Sequence, residues 1–335
     1  MQVYIKDKKR RKDEFQFFMH DFVDECKKAG IESVTDILPS YKYHIRSFLR
    51  RCELGLYQII KHYCPKFIKR NKAIIITANG VTIADNIFPY YFNYEIIPML
   101  WDVWPSTWFQ MYNDLRRFDC KTVIVTVKSV AEMINSEMPG INALWVPEGI
   151  TTNHYNKGKE LVNRPYDVLE MGRQMKPYHK VLCQLTKSGQ INGYKTSDLN
   201  PDGTLNKNKL MFKSNEELYS EMPKYKIMVC FPQCDTNPFR GGNVETLTQR
   251  YWEAMLSGCL MIGRAPQELI DLIGYNPVID VNWDEPEKQL QNILKHITEY
   301  QELANKNYQK AMEHASWGKR MPMIKSFLNS QNYQL

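Results

Sequence analysis

Glu245 and Glu253 stand with seven residues between them, the first in a loop and the second in the body of a predicted helix from about Leu247 to Ser257. A carboxylate accepts hydrogen bonds from two vicinal hydroxyls at once, so such a pair can converge on one ligand, one glutamate suiting a ribose and the other a hexose. Gly241, Gly242 and Asn243 fall just before the helix start. Backbone amides and the positive helix end can face an anion there, a phosphate above all. Thr246 or Thr248 can cap the helix, while Leu247, Tyr251, Ala254, Met255 and Gly258 form its buried face. Two acids at this spacing also fit an exposed helix with solvated side chains, so the residues around them must decide.

Those residues need a scaffold. Short apolar, β-branched runs alternate with longer helical patterns, which is the pattern of a parallel sheet covered by helices, and the fold class is α/β. The first half offers strands at Gln2 to Ile5, Ala73 to Thr77, Ile96 to Leu100, Thr122 to Val127 and Ala143 to Val146, with helices at Asp13 to Ala29 and Tyr43 to Tyr63 and Gly30 as a C-cap. The second half restarts with a strand at Tyr166 to Met171 and a helix through Leu182. Lys187 to Lys209 reads as a loop or short hairpin. A short helix from Ser214 to Met222 and a strand from Lys226 to Phe231 precede the glutamate helix. Strands at Leu260 to Ile262 and Val278 to Val281 and a helix at Pro266 to Ile273 follow it.

A chain of 335 residues exceeds one ordinary core and predicts two domains, and 43% hydrophobic with 24% charged residues is a globular composition. With no apolar run of membrane-spanning length and Met1 leading directly into Lys6, Lys8, Lys9, Arg10 and Arg11, a cytoplasmic protein is expected. The eight cysteines, Cys230 and Cys234 included, lack the paired spacing of zinc sites and fit a reducing compartment. The net charge of +7 concentrates in Lys6 to Lys12 and again from Arg46 to Arg70. Nucleic acid is not expected as a partner, since no recognition motif accompanies these charges. Ile45, Phe48, Leu49, Leu56, Ile59, Ile60, Tyr63 and Phe67 recur at near-helical spacing beside them. That pattern describes either a core helix with a solvated basic side, which is the expectation, or a helix in peripheral contact with an anionic membrane.

The stretch Glu245 to Glu253 followed by Ala254-Met255 and Gly258-Cys259 resembles the donor-site motif of retaining GT-B glycosyltransferases. Three other segments resemble the same family in the same order. They are Thr122 to Val127 with Lys128, Ser129 and Glu132; Val146-Pro-Glu-Gly-Ile-Thr-Thr-Asn-His-Tyr155, like the interdomain segment; and Asp167-Val-Leu-Glu-Met-Gly-Arg173, like the first strand of the donor domain. The likeness runs from about Lys121 to Lys325 and leaves the beginning of the chain largely uncovered.

The resemblance implies two Rossmann-like domains with parallel sheets facing across a cleft. Residues 1–150 would be the acceptor side, 151–315 the nucleotide-sugar domain, and 316–335, with Trp317, a helix crossing back to the first. It implies transfer of a sugar from a nucleotide-diphosphate donor to a glycan or lipid-linked acceptor, with retention and no further cofactor. Arg173 would hold the departing diphosphate with a lysine, Lys176 or Lys180; helix amides near Thr246 to Thr248 would assist; Glu253 would grip the ribose and Glu245 the transferred sugar. The chain has no Asp-x-Asp triplet, in keeping with a metal-independent site. In place of the family's glycines after the first strand, Ala78-Asn79-Gly80 is the candidate substitute. Trp101-Asp102-Val103-Trp104-Pro105 ends a strand where α/β sheets bind ligands, and an aspartate between tryptophans can cradle an acceptor or simply pin a loop. His154 has the same choice. A nucleotide-sugar epimerase of the same fold and a basic nucleic-acid or membrane-binding module are the competing readings, while a dehydrogenase is disfavoured by the lack of Gly-x-Gly-x-x-Gly after a strand.

Overall fold

The computed structural model describes residues 1–7, 17–35, 43–200, 206 and 209–335; among these, the side chains of 17–18, 43–47, 49 and 50 lie outside the description. The expected helix start at Asp13, the basic run Lys8 to Lys12, and the side chains of Ile45, Arg46, Leu49 and Arg50 therefore fall outside the described residues. The chain divides into two compact units, Met1–Pro147 with Trp317–Leu335, and Glu148–Ser316.

The first unit alternates β1 (Val3–Asp7), α1 (Phe17–Lys28), β2 (Glu32–Thr35), α2 (Tyr43–Tyr63), β3 (Lys72–Asn79), α3 (Ile83–Ile87), β4 (Tyr94–Trp101), α4 (Trp108–Arg117), β5 (Thr122–Val125), α5 (Lys128–Glu137) and β6 (Asn142–Trp145). Its six strands pair in the order β2-β1-β3-β4-β5-β6, all parallel. β2 has no counterpart in the apolar pattern because it is a polar edge strand, Glu-Ser-Val-Thr, mostly exposed. Lys6, grouped with the basic run by its sequence position, is instead a buried residue of β1 whose ammonium donates to the Asn86 carbonyl at 2.8 Å and lies over the Tyr90 ring. The C-terminal segment completes this unit's core, with Trp317, Ile324 and Leu328 packed among Val3, Phe22, Ile97 and Trp101.

The reading of α2 as a core helix does not hold. Of its described apolar side chains Tyr57 is buried and Leu54 and Ile60 are half-buried, but Phe48, Leu56, Ile59 and Tyr63 are exposed.

The second unit runs β7 (Tyr166–Glu170), α6 (Lys176–Lys187), β8 (Lys195–Thr196), α7 (Asn215–Glu221), β9 (Tyr225–Cys230), α8 (Gln233–Thr236), α9 (Pro238–Gly241), α10 (Gln249–Leu256), β10 (Leu260–Gly263), α11 (Gln267–Ile273), β11 (Val278–Asp280), α12 (Pro286–Lys295) and α13 (Gln301–His314), with α14 (Met321–Ser330) returning to the first unit's core. The sheet order is β11-β10-β9-β7-β8, again all parallel. Both faces are covered, so successive residues serve opposite cores: Met228 and Cys230 face one, Ile227 and Val229 the other. β8 lies within the stretch expected as a loop or hairpin, and it pairs parallel to β7 rather than folding back on a neighbour.

This topology singles out one place. From β7 the chain crosses first to β8 on one side and then to β9 on the other. The neighbouring strands β7 and β9 therefore send their onward connections in opposite directions, to β8 and to β10, which opens a crevice at their carboxyl ends where sheets of this kind take ligands.

Candidate functional site

The β7 strand ends in Glu170, Met171, Gly172 and Arg173, and α10 brings its first turn against that end. Gly172 has φ +80, and a Cβ there would lie 2.5 Å from both terminal nitrogens of Arg250. Only glycine lets the turn take this backbone and leaves room for the guanidinium. Arg250, in turn, donates to the Met171 carbonyl. One helical turn later Glu253 is buried, and its Oε1 accepts from the Tyr155 hydroxyl at 3.3 Å. Burial raises the Glu253 carboxyl above its ordinary range, against the opposing pull of the Arg250 charge and the Tyr155 hydrogen bond. Arg173 is near enough to Tyr251 for its charge to oppose the large upward shift that burial gives that phenol. Two guanidiniums and a buried carboxylate thus gather at the switch of the sheet. Arg250 had no role in the sequence reading, although its place three residues before Glu253 puts it on the same helix face.

Glu245 lies on the loop before α10 and is partly exposed. Both its oxygens are engaged, Oε1 with the Arg264 guanidinium and Oε2 with the Gln267 amide at 3.0 Å. Arg264 also grips Asp235 through two bonds of 2.7 Å. Those Asp235 bonds, and to a smaller extent Glu245, raise the Arg264 guanidinium against the effect of burial.

The glycine loop departs from expectation. Asn237 and Pro238 start a separate one-turn helix, with Asn237 Oδ1 accepting from the Arg240 amide at 3.2 Å. Gly241 and Gly242 close that turn, their amides spent on Asn237 and Pro238 carbonyls at 2.9 and 2.8 Å, and α10 begins only at Gln249. Gly241, Gly242 and Asn243 therefore do not open the glutamate helix, and the two glycine amides do not face a phosphate. At the real entry, the Leu247 amide donates to the buried Glu268 carboxylate at 2.8 Å, Thr246 is buried, and Thr248 holds the N-cap position without a side-chain cap bond. Lys176 is the first residue of α6 and is exposed.

A second cluster behind Gly172 escaped the sequence reading. Glu170 is buried, and its Oε2 takes His179 Nδ1 at 2.6 Å, the Tyr194 hydroxyl at 2.6 Å and the Thr196 hydroxyl at 2.9 Å. The Glu170 hydrogen bond raises the His179 imidazole despite partial burial. Ser197 Oγ accepts from the Gly172 amide at 2.7 Å, so β7, α6 and β8 converge on this turn from behind. No sequence motif marks it, because Glu170, His179 and Thr196 come from β7, α6 and β8 and Tyr194 from the loop before β8.

In the first unit, β3 and β4 pair with Asn79 opposite Trp101, which sets their two carboxyl-terminal loops side by side. Gly80 is held by contact between those loops, since a Cβ there would lie 2.5 Å from Thr107 Oγ1. Asn79 Oδ1 accepts from the Val81 amide at 3.2 Å, closing the turn. The tryptophan cradle is absent. Trp101 and Trp104 are buried, Trp101 edge-on to Phe22 and Trp317, because hydrophobic area in this sheet is taken up by the core. Asp102 alone is exposed, in a left-handed backbone at φ +50. His154 belongs to the second unit, where its exposed ring stacks on Tyr219 at 5.2 Å.

Among the described residues no helix is long and apolar enough to cross a membrane, and no cluster of three or more His, Cys, Asp or Glu side chains could hold a metal ion.

No family model and no curated protein sequence matches the chain. Solved structures do match. Sucrose-phosphate synthase from Thermosynechococcus elongatus is similar with a TM-score of 0.59 and 10% identity, covering 99% of each chain. Anabaena HepE in complex with UDP-glucose gives 0.56 and 12%, covering 98% of this chain and all (100%) of that one. TarM of S. aureus gives 0.53 and 12%, but this chain spans only 56% of its length. These neighbours share the α/β arrangement of two parallel sheets, and the fold of the present chain is GT-B.

Proposed function

We propose that the chain transfers a sugar from a nucleotide-diphosphate donor to a glycan or lipid-linked acceptor. The observation that carries this reading is the gathering of Arg173, Arg250 and buried Glu253 at the turn after β7, where the order of the sheet reverses. The likeness to HepE along the length of both chains, in a structure that holds UDP-glucose, supports a nucleotide-sugar as the donor.

Breaking the sugar–phosphate bond adds negative charge to the leaving diphosphate, and fixed cations that need no reorganisation stabilise that change. Arg173 takes this role, with Arg250 beside it and Lys176 at the start of α6 as a further cation. Glu253 accepts from the ribose hydroxyls. Its burial makes each such bond worth more than it would be in water, since an uncompensated carboxylate in that position is costly. Glu245 orients the transferred sugar, held in place by Arg264. Asn79, Gly80 and Asp102 mark the acceptor side on the first unit. As the donor bond breaks, the departing phosphate oxygen receives the acceptor hydroxyl's proton while the new glycosidic bond forms on the same face, with retention and without a metal. The reaction is proposed to run in the cytoplasm.

The reading is tested by thermal shift against UDP, GDP, ADP and CMP, followed by release of free nucleotide from the matching nucleotide-sugar. One nucleotide diphosphate should raise the melting temperature, since a ligand at ~100 times its dissociation constant adds about 2.7 kcal/mol to the native state. A melting curve unmoved by all four would end the proposal.

A further inference from the structure

Among the described residues, one face of α2 is apolar and exposed. Tyr57 seats the helix on its unit: its ring lies 4.6 Å from Tyr91 and 5.7 Å from Phe118, and its hydroxyl accepts from Arg70 at 2.6 Å. Lys61 fastens the same side through Asp119 at 2.6 Å. On the other side Phe48, Leu56, Ile59 and Tyr63 are 66, 52, 57 and 74% exposed, and Phe67, in the turn Pro65–Phe67 that follows, is 74% exposed. At about 100° per residue the four helical positions fall within roughly 80° of arc, and Tyr57 lies ~140° from its centre. They form a straight row roughly 22 Å long.

The charges around this row have one sign. From Phe48 to Arg70 the chain carries Arg50, Arg51, Lys61, Lys66, Lys69 and Arg70 against a single acid, Glu53. Lys61 and Arg70 are used in seating the helix, whereas Arg51, Lys66 and Lys69 are exposed. Glu53 is partly buried and acts on Tyr91, which places it toward the seated side. Large exposed apolar rows on a soluble unit mark contact surfaces. This one is convex rather than grooved, its side chains differ in shape, and its rim is cationic. A fluid surface with anionic headgroups satisfies all three features, whereas a folded partner would need a matching acidic trough.

We propose that α2 and the Pro65–Phe67 turn lie in the interface of an anionic bilayer, with Phe48, Leu56, Ile59, Tyr63 and Phe67 among the acyl chains and Arg51, Lys66 and Lys69 at the lipid phosphates. The inference stands independently of sugar transfer, because it concerns another face of the first unit and its test uses no donor.

The full chain is sedimented with vesicles of phosphatidylcholine alone and of phosphatidylcholine mixed with phosphatidylglycerol. Binding is expected to the mixed vesicles only and to weaken with added salt. A Leu56→Ser/Ile59→Ser/Tyr63→Ser variant should bind about tenfold more weakly or worse, and Lys66→Ala/Lys69→Ala should lose roughly fivefold per cation. All five positions are exposed, so both variants should keep the parent's melting temperature and circular dichroism. Equal binding to both vesicle types overturns the proposal, as does a triple variant that sediments like the parent. A dimer in sedimentation velocity that the triple variant loses, without vesicle binding in the parent, overturns it in favour of a second copy of the chain.

Discussion

At the carboxyl ends of the second unit's strands the candidate groups are charged side chains held by hydrogen bonds, whereas at the carboxyl ends of the first unit's strands they are turn amides and one exposed carboxylate. Around β7 and α10, Arg250 is pressed on Gly172, Glu253 is buried under its influence, and Glu245 is bonded to Arg264 and Gln267. Around β3 and β4, the aromatic residues have withdrawn into the core and left Asn79, Gly80 and Asp102 on loops. A leaving diphosphate demands charges fixed before the bond breaks, and fixing them takes many protein–protein hydrogen bonds. Under the proposed function, selecting an acceptor needs only a surface, and among the described residues the loops after β3 and β4 carry no comparable charged network. If this contrast is right, damage to the second unit's edge should strike turnover, and damage to the first unit's edge should strike acceptor use alone.

Arg173 should give the largest effect. Replacing it with alanine removes a charge whose partner grows during the reaction, so kcat should fall by about 100- to 1,000-fold with KM for the donor changed far less. Steady-state kinetics at saturating acceptor reads this directly, and an unaltered kcat would exclude Arg173 from the site.

Glu253 comes next. Glu253→Ala should weaken nucleotide binding by roughly ten- to a hundredfold, the value of hydrogen bonds to a charged group. Folding should survive, because the native state already works against ionising that carboxyl: burial raises it more than Arg250 and Tyr155 lower it. Titration calorimetry with the nucleotide found by thermal shift measures the loss. Donor affinity that stays the same contradicts the ribose assignment.

The two edges also differ in how far they could be read from residues alone. The placement of Glu245 on a loop and Glu253 within a helix was legible, because the apolar periodicity that marks α10 does not depend on the detail of the loop before it. The strands were legible because a sheet covered on both faces leaves unbroken apolar runs, as in Ile227 to Cys230. The glycine loop was not, since Asn237 and Pro238 divert the chain into its own turn before α10, and cap geometry of that kind depends on which carbonyls the amides find. The tryptophans left two roles open, and the structure gives them the packing one. Burial and ligand stacking call for the same side chain, and only packing tells them apart. Arg250 and the Glu170 cluster were missed because their partners come from distant elements, Gly172 for the first and His179, Tyr194 and Thr196 for the second. On α2 the periodicity was visible, but whether a neighbour covers an apolar face is decided by tertiary structure.

On the first unit's edge, Asp102 offers a smaller and cleaner test. Its backbone is left-handed, a conformation that costs a non-glycine residue roughly 1 kcal/mol, so Asp102→Gly should raise stability by about that amount. If Asp102 recognises the acceptor, the same variant should raise KM for the acceptor and leave donor affinity alone. A variant that is more stable and kinetically unchanged would return Asp102 to the role of a turn residue.

The smallest effect concerns the support behind Gly172 and is read through pH. The Glu170 hydrogen bond raises His179 above its ordinary value of 6.5 in the folded state. A histidine raised on folding binds its proton more tightly when native, so its contribution is fully present below the unfolded value and fades as pH climbs through the folded one. His179→Gln should therefore lower the melting temperature most at pH below about 6.5, and the difference from the parent should shrink toward alkaline pH. It should not vanish entirely, because a neutral imidazole can still donate to Glu170, and Tyr194 and Thr196 bond the same oxygen at 2.6 and 2.9 Å. A gap between the two melting curves that is flat in pH would mean that the histidine acts by packing alone, and the charged support for the β7 turn would be confined to its front side, at Arg250.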